Sequence, residues 1–220
     1  AAESPHDELE ALAEICMGND LWVLSDEAYF ETRYEGESES IASIPRMAER
    51  TVILYTFSKR FAMTGWRVGA SIGPPEVMEI IGQLNVNDES CTNHFAQWAM
   101  IEALEGGAEM CKPITDELRV RRDVARDLLN GIEGVSVGSP SSTFYLFPKV
   151  TKVVVKKGFR NSSELQEAVL KETGVAFCPR SHFSTPLPDE KEHYVRFAYS
   201  GIQLDDIREG MDRFKAYCEA

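Results

Sequence analysis

The chain has 220 residues, of which 43% are hydrophobic and 27% charged, and it carries a formal net charge of −13. This length suffices for one large domain or two modest ones, with the composition of an ordinary globular protein. The negative charge argues against a nucleic-acid partner, because neutralising phosphates requires clustered Lys and Arg. No apolar run reaches the length of a bilayer span and no secretory signal is recognisable, so a cytoplasmic protein without a membrane partner is expected.

Cysteine and histidine usage favours free thiols and argues against a metal site. The five cysteines are odd in number, widely spaced and without a Cys-x-x-Cys pair, which is typical of a reducing compartment. They are Cys16, Cys91, Cys111, Cys178 and Cys218. Because the four histidines are also dispersed, no metal ligand set is predicted.

The first half of the chain predicts strands that alternate with helices. A helix begins with Ser4 as N-cap and Pro5 as its first residue, Asp7 completes a capping box, and Gly18 ends the helix. Its apolar stripe is Leu9, Leu12, Ala13 and Cys16. Continuous apolar runs predict strands covered on both faces at 21–25, 51–57 and 67–73. Helical patterns at 76–85 and 92–104 complete an α/β architecture.

A long helix is predicted after a break at Gly106-Gly107. It covers 113–129, with Gly131 as its C-cap. Its inward positions are Ile114, Leu118, Ala125 and Leu128. Its arginines follow a helical spacing that indicates a solvated face or a structural ion-pair strip: Arg119, Arg121, Arg122 and Arg126.

Beyond this helix, short strands at 135–138, 143–147, 175–178 and 194–199 are predicted to alternate with two helices. The first helix, 163–173, has a capping box from Ser163 to Gln166 and is followed by Gly174. The second, 205–218, stacks Ile207, Met211, Phe214 and Cys218 on one face. A second, α+β domain is therefore predicted to begin near residue 130.

Polar side chains capable of chemistry lie where the strands of the first half begin or end, which is where open α/β sheets place ligands. These segments are Ser25-Asp26-Glu27-Ala28-Tyr29, Thr56-Phe57-Ser58-Lys59 and Gly65-Trp66-Arg67. Each residue alone has a structural explanation, such as a turn cap for Asp26 or a solvated loop position for Lys59. Together they favour one site that combines a carboxylate, a phenol, hydroxyls, an amine and a guanidinium.

These segments resemble the fold-type-I pyridoxal-5′-phosphate (PLP) enzymes, specifically class I/II aminotransferases of the aspartate/aromatic type. The resemblance runs through 25–29, 55–69, 93–97 and 194–200, and so extends over nearly the whole chain. Its most specific part is Ser58-Lys59 followed by Gly65-Trp66-Arg67-Val68-Gly69, with the arginine eight residues after the lysine. It implies that 1–130 is the C-terminal portion of the three-layer α/β/α PLP-binding domain, including the interdomain helix. Residues 131–220 would form the smaller α+β domain.

The resemblance also implies a role for each residue of the candidate site. Lys59 would form the Schiff base with the PLP aldehyde and then act as general base and acid. Asp26 would keep the pyridine nitrogen protonated, and Tyr29 would hydrogen-bond the ring hydroxylate. The cofactor phosphate would be held by Thr56, Ser58 and Arg67.

Substrate and partner expectations follow from the same resemblance. Arg196 matches the arginine that binds the substrate α-carboxylate, with a buried ion pair as the alternative. An amino acid and a 2-oxo acid are the implied substrates. Asn93 and Gln97 match a segment that often contacts a second subunit of a homodimer, although an ordinary helix N-terminus explains them equally well.

The Asn-Pro-x-Asn-Pro-Thr-Gly loop that precedes this region in the family has no counterpart in the chain, so a C-terminal portion of an aminotransferase is expected. Alone, it is expected to show weak or no turnover. Two other functions remain open: a different PLP reaction, such as β-elimination or decarboxylation, or a non-catalytic role as an assembly partner.

Overall fold

A computed structural model describes residues 5–185 and 187–220. The chain divides into two compact units, one ending at Thr115 and one running from Asp116 to Ala220. We call them the N-terminal unit and the C-terminal unit. None of the helices within the described ranges is long and apolar enough to span a membrane.

The N-terminal unit alternates strands and helices, as the α/β prediction requires. Its strands are β1 (Val23–Asp26), β2 (Thr51–Thr56) and β3 (Gly69–Ile72). Its helices are α1 (His6–Gly18), the single turn α2 (Phe57–Arg60), α3 (Pro75–Asp88) and the first part of α4 (His94–Asn130). The boundary between the two units lies within α4.

Helix α1 differs from the prediction at its start. The predicted N-cap, Ser4, lies outside the described residues, and Pro5 precedes the helix rather than forming its first residue. Leu9 and Ala13 are buried as predicted, but Leu12 is exposed. Leu9 and Ala13 pack with Ile41, Ile44 and Met47 in a small apolar cluster of this unit.

The three strands form a mixed sheet in the order β1-β2-β3. Strands β1 and β2 are parallel, with Asp26 opposite Leu54, while β2 and β3 are antiparallel, with Thr56 opposite Gly69. Both β1 and β2 therefore deliver their carboxyl ends to the same edge, and β3 begins there. This topology brings the three polar segments predicted from the sequence to one edge of the sheet.

The prediction that these strands are covered on both faces is wrong. Leu24 and Leu54 are 68% and 37% exposed. The register places them on the same face, because Leu24 lies opposite Val52 and residues two apart on a strand share a face. Apolar runs indicate strands of a buried sheet, but the described residues leave this face partly open.

The C-terminal unit holds a second sheet, antiparallel and in the order β4-β6-β5. Its strands are β4 (Tyr145–Leu146), β5 (Cys178–Pro179) and β6 (Val195–Ala198), and its helices are the rest of α4, α5 (Thr151–Lys156), α6 (Ser162–Thr173) and α7 (Leu204–Glu219). Helix α5 was not predicted, because its three consecutive valines are weak helix formers. Helix α7 buries the four predicted side chains.

One predicted helix boundary is confirmed and another is corrected by the structure. The predicted break at Gly106-Gly107 is present, because Gly107 has a φ of 55° and a ψ of −139°, which are not helical, and so separates two helical segments of α4. The N-cap of α6 is Asn161, whose side chain accepts from the backbone N–H groups of Ser163 and Glu164, so Ser163 does not cap the helix. Gly174 is the predicted C-cap, with a φ of 76°.

Three of the four arginines of α4 follow the second of the two predicted alternatives, a structural strip. Arg121 and Arg122 are buried and donate to the backbone carbonyls of Ser200 and Pro140, at 2.7 and 3.0 Å. Arg126 pairs with Asp123 at 3.0 Å. Burying a guanidinium is tolerated only when its N–H groups are satisfied, so these contacts are structural.

Candidate active site

The carboxyl ends of β1 and β2 carry the first two candidate residues. Asp26 is the last residue of β1 and is exposed, and its Oδ1 accepts from the backbone N–H of Ala28 at 3.2 Å. Thr56 is the last residue of β2. Because the two strands are parallel neighbours, both residues lie at the same edge of the sheet.

The turn α2 presents Lys59 immediately after β2. The Thr56 hydroxyl accepts from the Ser58 N–H at 3.1 Å and caps the turn, and it also donates to the carbonyl of Val68 at 3.3 Å. Ser58 is buried, whereas Lys59 is half-buried. The cap therefore fixes the backbone from which the Lys59 amine projects.

The Lys59 amine lies near the phenol predicted to share its site. Its Nζ is 5.8 Å from the centroid of the Tyr29 ring. Tyr29 belongs to the turn that follows β1, where its carbonyl accepts from the N–H of Thr32 at 3.0 Å. The structure therefore brings these two predicted residues together from two different segments.

Arg67 enters the same edge in an uncommon backbone conformation. Its φ of 53° and ψ of 54° are left-handed, which is costly for a residue with a side chain and must be held by its surroundings. Its Nη1 donates to the carbonyl of Thr64 at 3.1 Å. Two residues later, β3 packs closely on β2 at Gly69. A Cβ at that position would lie 2.8 Å from the carbonyl oxygen of Tyr55.

A charged cluster not predicted from the sequence lies beside Lys59. The Tyr55 hydroxyl donates to Glu31 Oε2 at 2.5 Å, and Glu31 also forms an ion pair with Arg60. Burial raises the pKa of Tyr55 to about 12, and the hydrogen bond to Glu31 adds to that rise. Tyr55 directly precedes Thr56, and Arg60 directly follows Lys59. This adjacency to predicted site residues was the one sign in the sequence that Tyr55 and Arg60 lie near the site.

Arg196 lies on β6 in the C-terminal unit, where it is half-buried. Its guanidinium carbon lies over two aromatic rings, 4.2 Å from the Tyr145 centroid and 4.1 Å from that of Phe183. Such cation–π contacts use the face of the guanidinium, whereas its N–H donors point outward in the guanidinium plane. The two rings therefore orient Arg196 and leave the N–H donors at the edge of its guanidinium able to bind a carboxylate.

One family model, curated relatives and solved structures of other proteins match this chain over nearly its whole length. Residues 2–214 match the model of the family described as aminotransferase class I and II. An aspartate aminotransferase of Bacillus subtilis is 33% identical over 97% of this chain and 53% of its own length, and an aromatic-amino-acid aminotransferase of Thermococcus litoralis is 34% identical over 94% and 51%. The crystal structure of an aromatic aminotransferase from Pyrococcus horikoshii has a TM-score of 0.87 at 31% identity, covering 98% of this chain and 56% of that one.

The fold is therefore that of part of a PLP-dependent aminotransferase, α/β in its architecture as predicted. The chain belongs to the class I and II aminotransferase family. It spans about half the length of the curated relatives that it matches.

Proposed function

We propose that the protein takes part in PLP-dependent transfer of an amino group between an amino acid and a 2-oxo acid. The observation that carries this proposal is the placement of the Lys59 amine beside the Tyr29 ring, at the sheet edge that also holds Asp26. An amine alone is common on protein surfaces. An amine, a phenol and a carboxylate at the ends of neighbouring strands are the groups that a pyridine aldehyde requires.

The side chains at this edge suit PLP by their chemistry. Bound PLP supplies a carbonyl for the substrate amine and a protonated ring that withdraws electrons from the substrate α-carbon. Lys59 would hold the aldehyde and move a proton at the α-carbon, Asp26 would keep the ring nitrogen protonated, and Tyr29 would donate to the ring oxygen.

Phosphate binding is assigned to Ser58, Thr56 and Arg67. Arg67 offers a planar set of N–H donors, and its strained backbone indicates an orientation set by the fold. The Thr56 hydroxyl already donates to the Val68 carbonyl, so it would reach a phosphate oxygen by exchanging that hydrogen bond.

Arg196 would bind the substrate α-carboxylate. The Tyr145 and Phe183 rings leave the in-plane N–H donors for a carboxylate, which matches a bidentate geometry. Removing the Arg196 guanidinium would therefore weaken substrate binding more than PLP binding.

The same residues also serve other PLP reactions, so β-elimination or decarboxylation is the second candidate. Lys59 and Asp26 are required in each, and only a 2-oxo acid acceptor separates transfer from the others. The odd number and wide spacing of the five cysteines favour a reducing compartment such as the cytoplasm. We expect a homodimer in the full enzyme, with Asn93 and Gln97 near the second subunit.

Chemical trapping tests the proposal. The protein is incubated with PLP, reduced with borohydride and digested, and the modified lysine is identified by mass spectrometry. Lys59 is expected to carry the label, and Lys59→Arg to abolish it. Predominant labelling of another lysine, such as Lys112 or Lys152, would overturn the assignment.

A further inference from the structure

The segment that carries Lys59 is held from both sides. On one side, the Thr56 hydroxyl caps α2 and Ser58 is buried. On the other side, Arg60 has a side chain that is only 14% exposed and is paired with Glu31. Lys59 lies between these two anchors, so the position of its backbone depends on both.

Glu31 connects this segment to the one that carries Tyr29. It lies two residues after Tyr29, and the intervening turn is closed by hydrogen bonds from Phe30 N–H to Glu27 O and from Thr32 N–H to Tyr29 O, each 3.0 Å long. A short, hydrogen-bonded turn moves as a unit. Displacing the Glu31 carboxylate would therefore displace Tyr29 as well.

The base of the cluster is anchored in the core. The Tyr55 ring packs edge-to-face on Phe57, with centroids 5.2 Å apart, and Phe57 stacks on Phe61 at 5.6 Å. Phe57 is buried in an apolar cluster with Val68, Ala96 and Ala103. Because this packing holds the Tyr55 ring in place, the hydrogen bond from its hydroxyl holds the Glu31 carboxylate in place as well.

We propose that Glu31 is a positioning residue whose carboxylate, bridging Tyr55 and Arg60, sets the separation between the Lys59 amine and the Tyr29 phenol. The proposal rests on the function proposed above, in which these two groups act on one PLP ring. Glu31 acts on the Lys59 segment through its ion pair with Arg60, and on Tyr29 through the turn that they share.

The test compares Glu31→Gln with a matched control in the same unit. Asp20 pairs with Arg50 at 3.3 Å, and Asp20→Asn removes a carboxylate from an arginine that is held by Asp20 and the carbonyl of Leu21. Reductive trapping with PLP is measured as the rate of labelling at Lys59 and at all other lysines. Glu31→Gln is expected to slow labelling at Lys59 by about tenfold, with the other lysines unchanged, and Asp20→Asn to behave as wild type.

A double variant separates positioning from a loss of stability. If Glu31 and Arg60 act through one contact, Glu31→Gln with Arg60→Gln should slow Lys59 labelling no more than either single change. Tyr55→Phe, which keeps the Glu31–Arg60 pair, should have an intermediate effect and replaces Glu31→Gln if that variant does not fold. Additive losses, or uniform changes at every lysine, would show a general structural role and overturn the proposal.

A measurement without PLP keeps this proposal distinct from the proposed function. Nuclear Overhauser contacts between the Lys59 methylene protons and the Tyr29 ring should be present in wild type and Asp20→Asn and weakened in Glu31→Gln. If Lys59 of the wild type takes no label, the proposed function is refuted. The Overhauser contacts between Lys59 and Tyr29 still decide whether Glu31 positions these two residues. Contacts of equal strength in Glu31→Gln and wild type would refute it.

Discussion

The two units of the chain bury their apolar residues very differently. Among the twelve largest fully buried side chains of the described residues, only Met47 lies in the N-terminal unit. The described part of that unit exposes sixteen large apolar side chains, against seven in the C-terminal unit. The unit that carries six of the seven candidate site residues is therefore the one with the smaller core. Arg196 alone lies in the unit whose core is well packed.

This difference predicts that the units contribute unequally to stability. Burial of apolar surface is the dominant favourable term in folding, so the C-terminal unit should resist denaturant more strongly. The candidate cofactor residues, in contrast, depend on short anchors such as the Thr56 cap and the Glu31 bridge. Order at Lys59 should thus be lost before the C-terminal unit unfolds.

The largest expected effect comes from one matched pair of substitutions. Phe214 is fully buried and packs against Phe177 and Phe197, with centroids 5.6 and 5.5 Å apart, whereas Phe95 is 67% exposed. Phe214→Ala should lower the free energy of unfolding of the C-terminal unit by about 3–5 kcal/mol, and Phe95→Ala should change that of the N-terminal unit by less than about 0.5 kcal/mol.

The tryptophans allow these effects to be assigned. All three, Trp22, Trp66 and Trp98, lie in the N-terminal unit, so their fluorescence during urea unfolding reports that unit, while far-UV circular dichroism reports both. The tryptophan transition should keep its midpoint in Phe214→Ala. A tryptophan transition that shifts with the circular dichroism signal would mean that the two units unfold together rather than unequally.

A second prediction divides cofactor from substrate binding. Arg67→Ala should weaken PLP binding and Arg196→Ala should weaken substrate binding, each by about 1.5–3 kcal/mol for a lost charge-assisted contact. PLP affinity is measured by absorbance titration, and substrate affinity by the spectral change on adding an amino acid to the PLP-bound protein. Arg126→Ala, which removes a half-buried guanidinium that pairs with Asp123 and Asp127 of α4, is the control. Equal losses of PLP affinity for the Arg67 and Arg196 variants would contradict the division.

The sequence predicted most of the elements and a single site formed by the polar segments at the strand ends. The structure brings Asp26, Thr56 and Lys59 to one sheet edge because β1 and β2 are parallel neighbours. The α5 helix and the Asn161 cap were missed, since tertiary packing overrides the weak helix propensity of valine and since Ser163 offered an equally plausible cap. The Glu31 bridge joins residues 24 and 29 positions apart, and no periodic pattern encodes such a contact.

The smallest expected effect concerns the pH dependence of the N-terminal unit. Burial and the hydrogen bond to Glu31 raise the pKa of Tyr55 from 10.0 to about 12. A group whose pKa is raised on folding favours the folded state while it stays protonated, so its contribution is fully present below pH 10.0 and is lost as the pH rises towards about 12. The urea midpoint of the tryptophan transition should therefore fall between these pH values in wild type.

In Tyr55→Phe the urea midpoint should fall less over this pH range, because no phenol titrates at that position. In Glu31→Gln the fall should begin at the same pH, which the unfolded chain sets, but end at lower pH and be smaller, since one of the causes of the raised pKa is removed. Identical midpoints in wild type and Tyr55→Phe across this window would mean that Tyr55 ionises as readily in the folded chain as in the unfolded one.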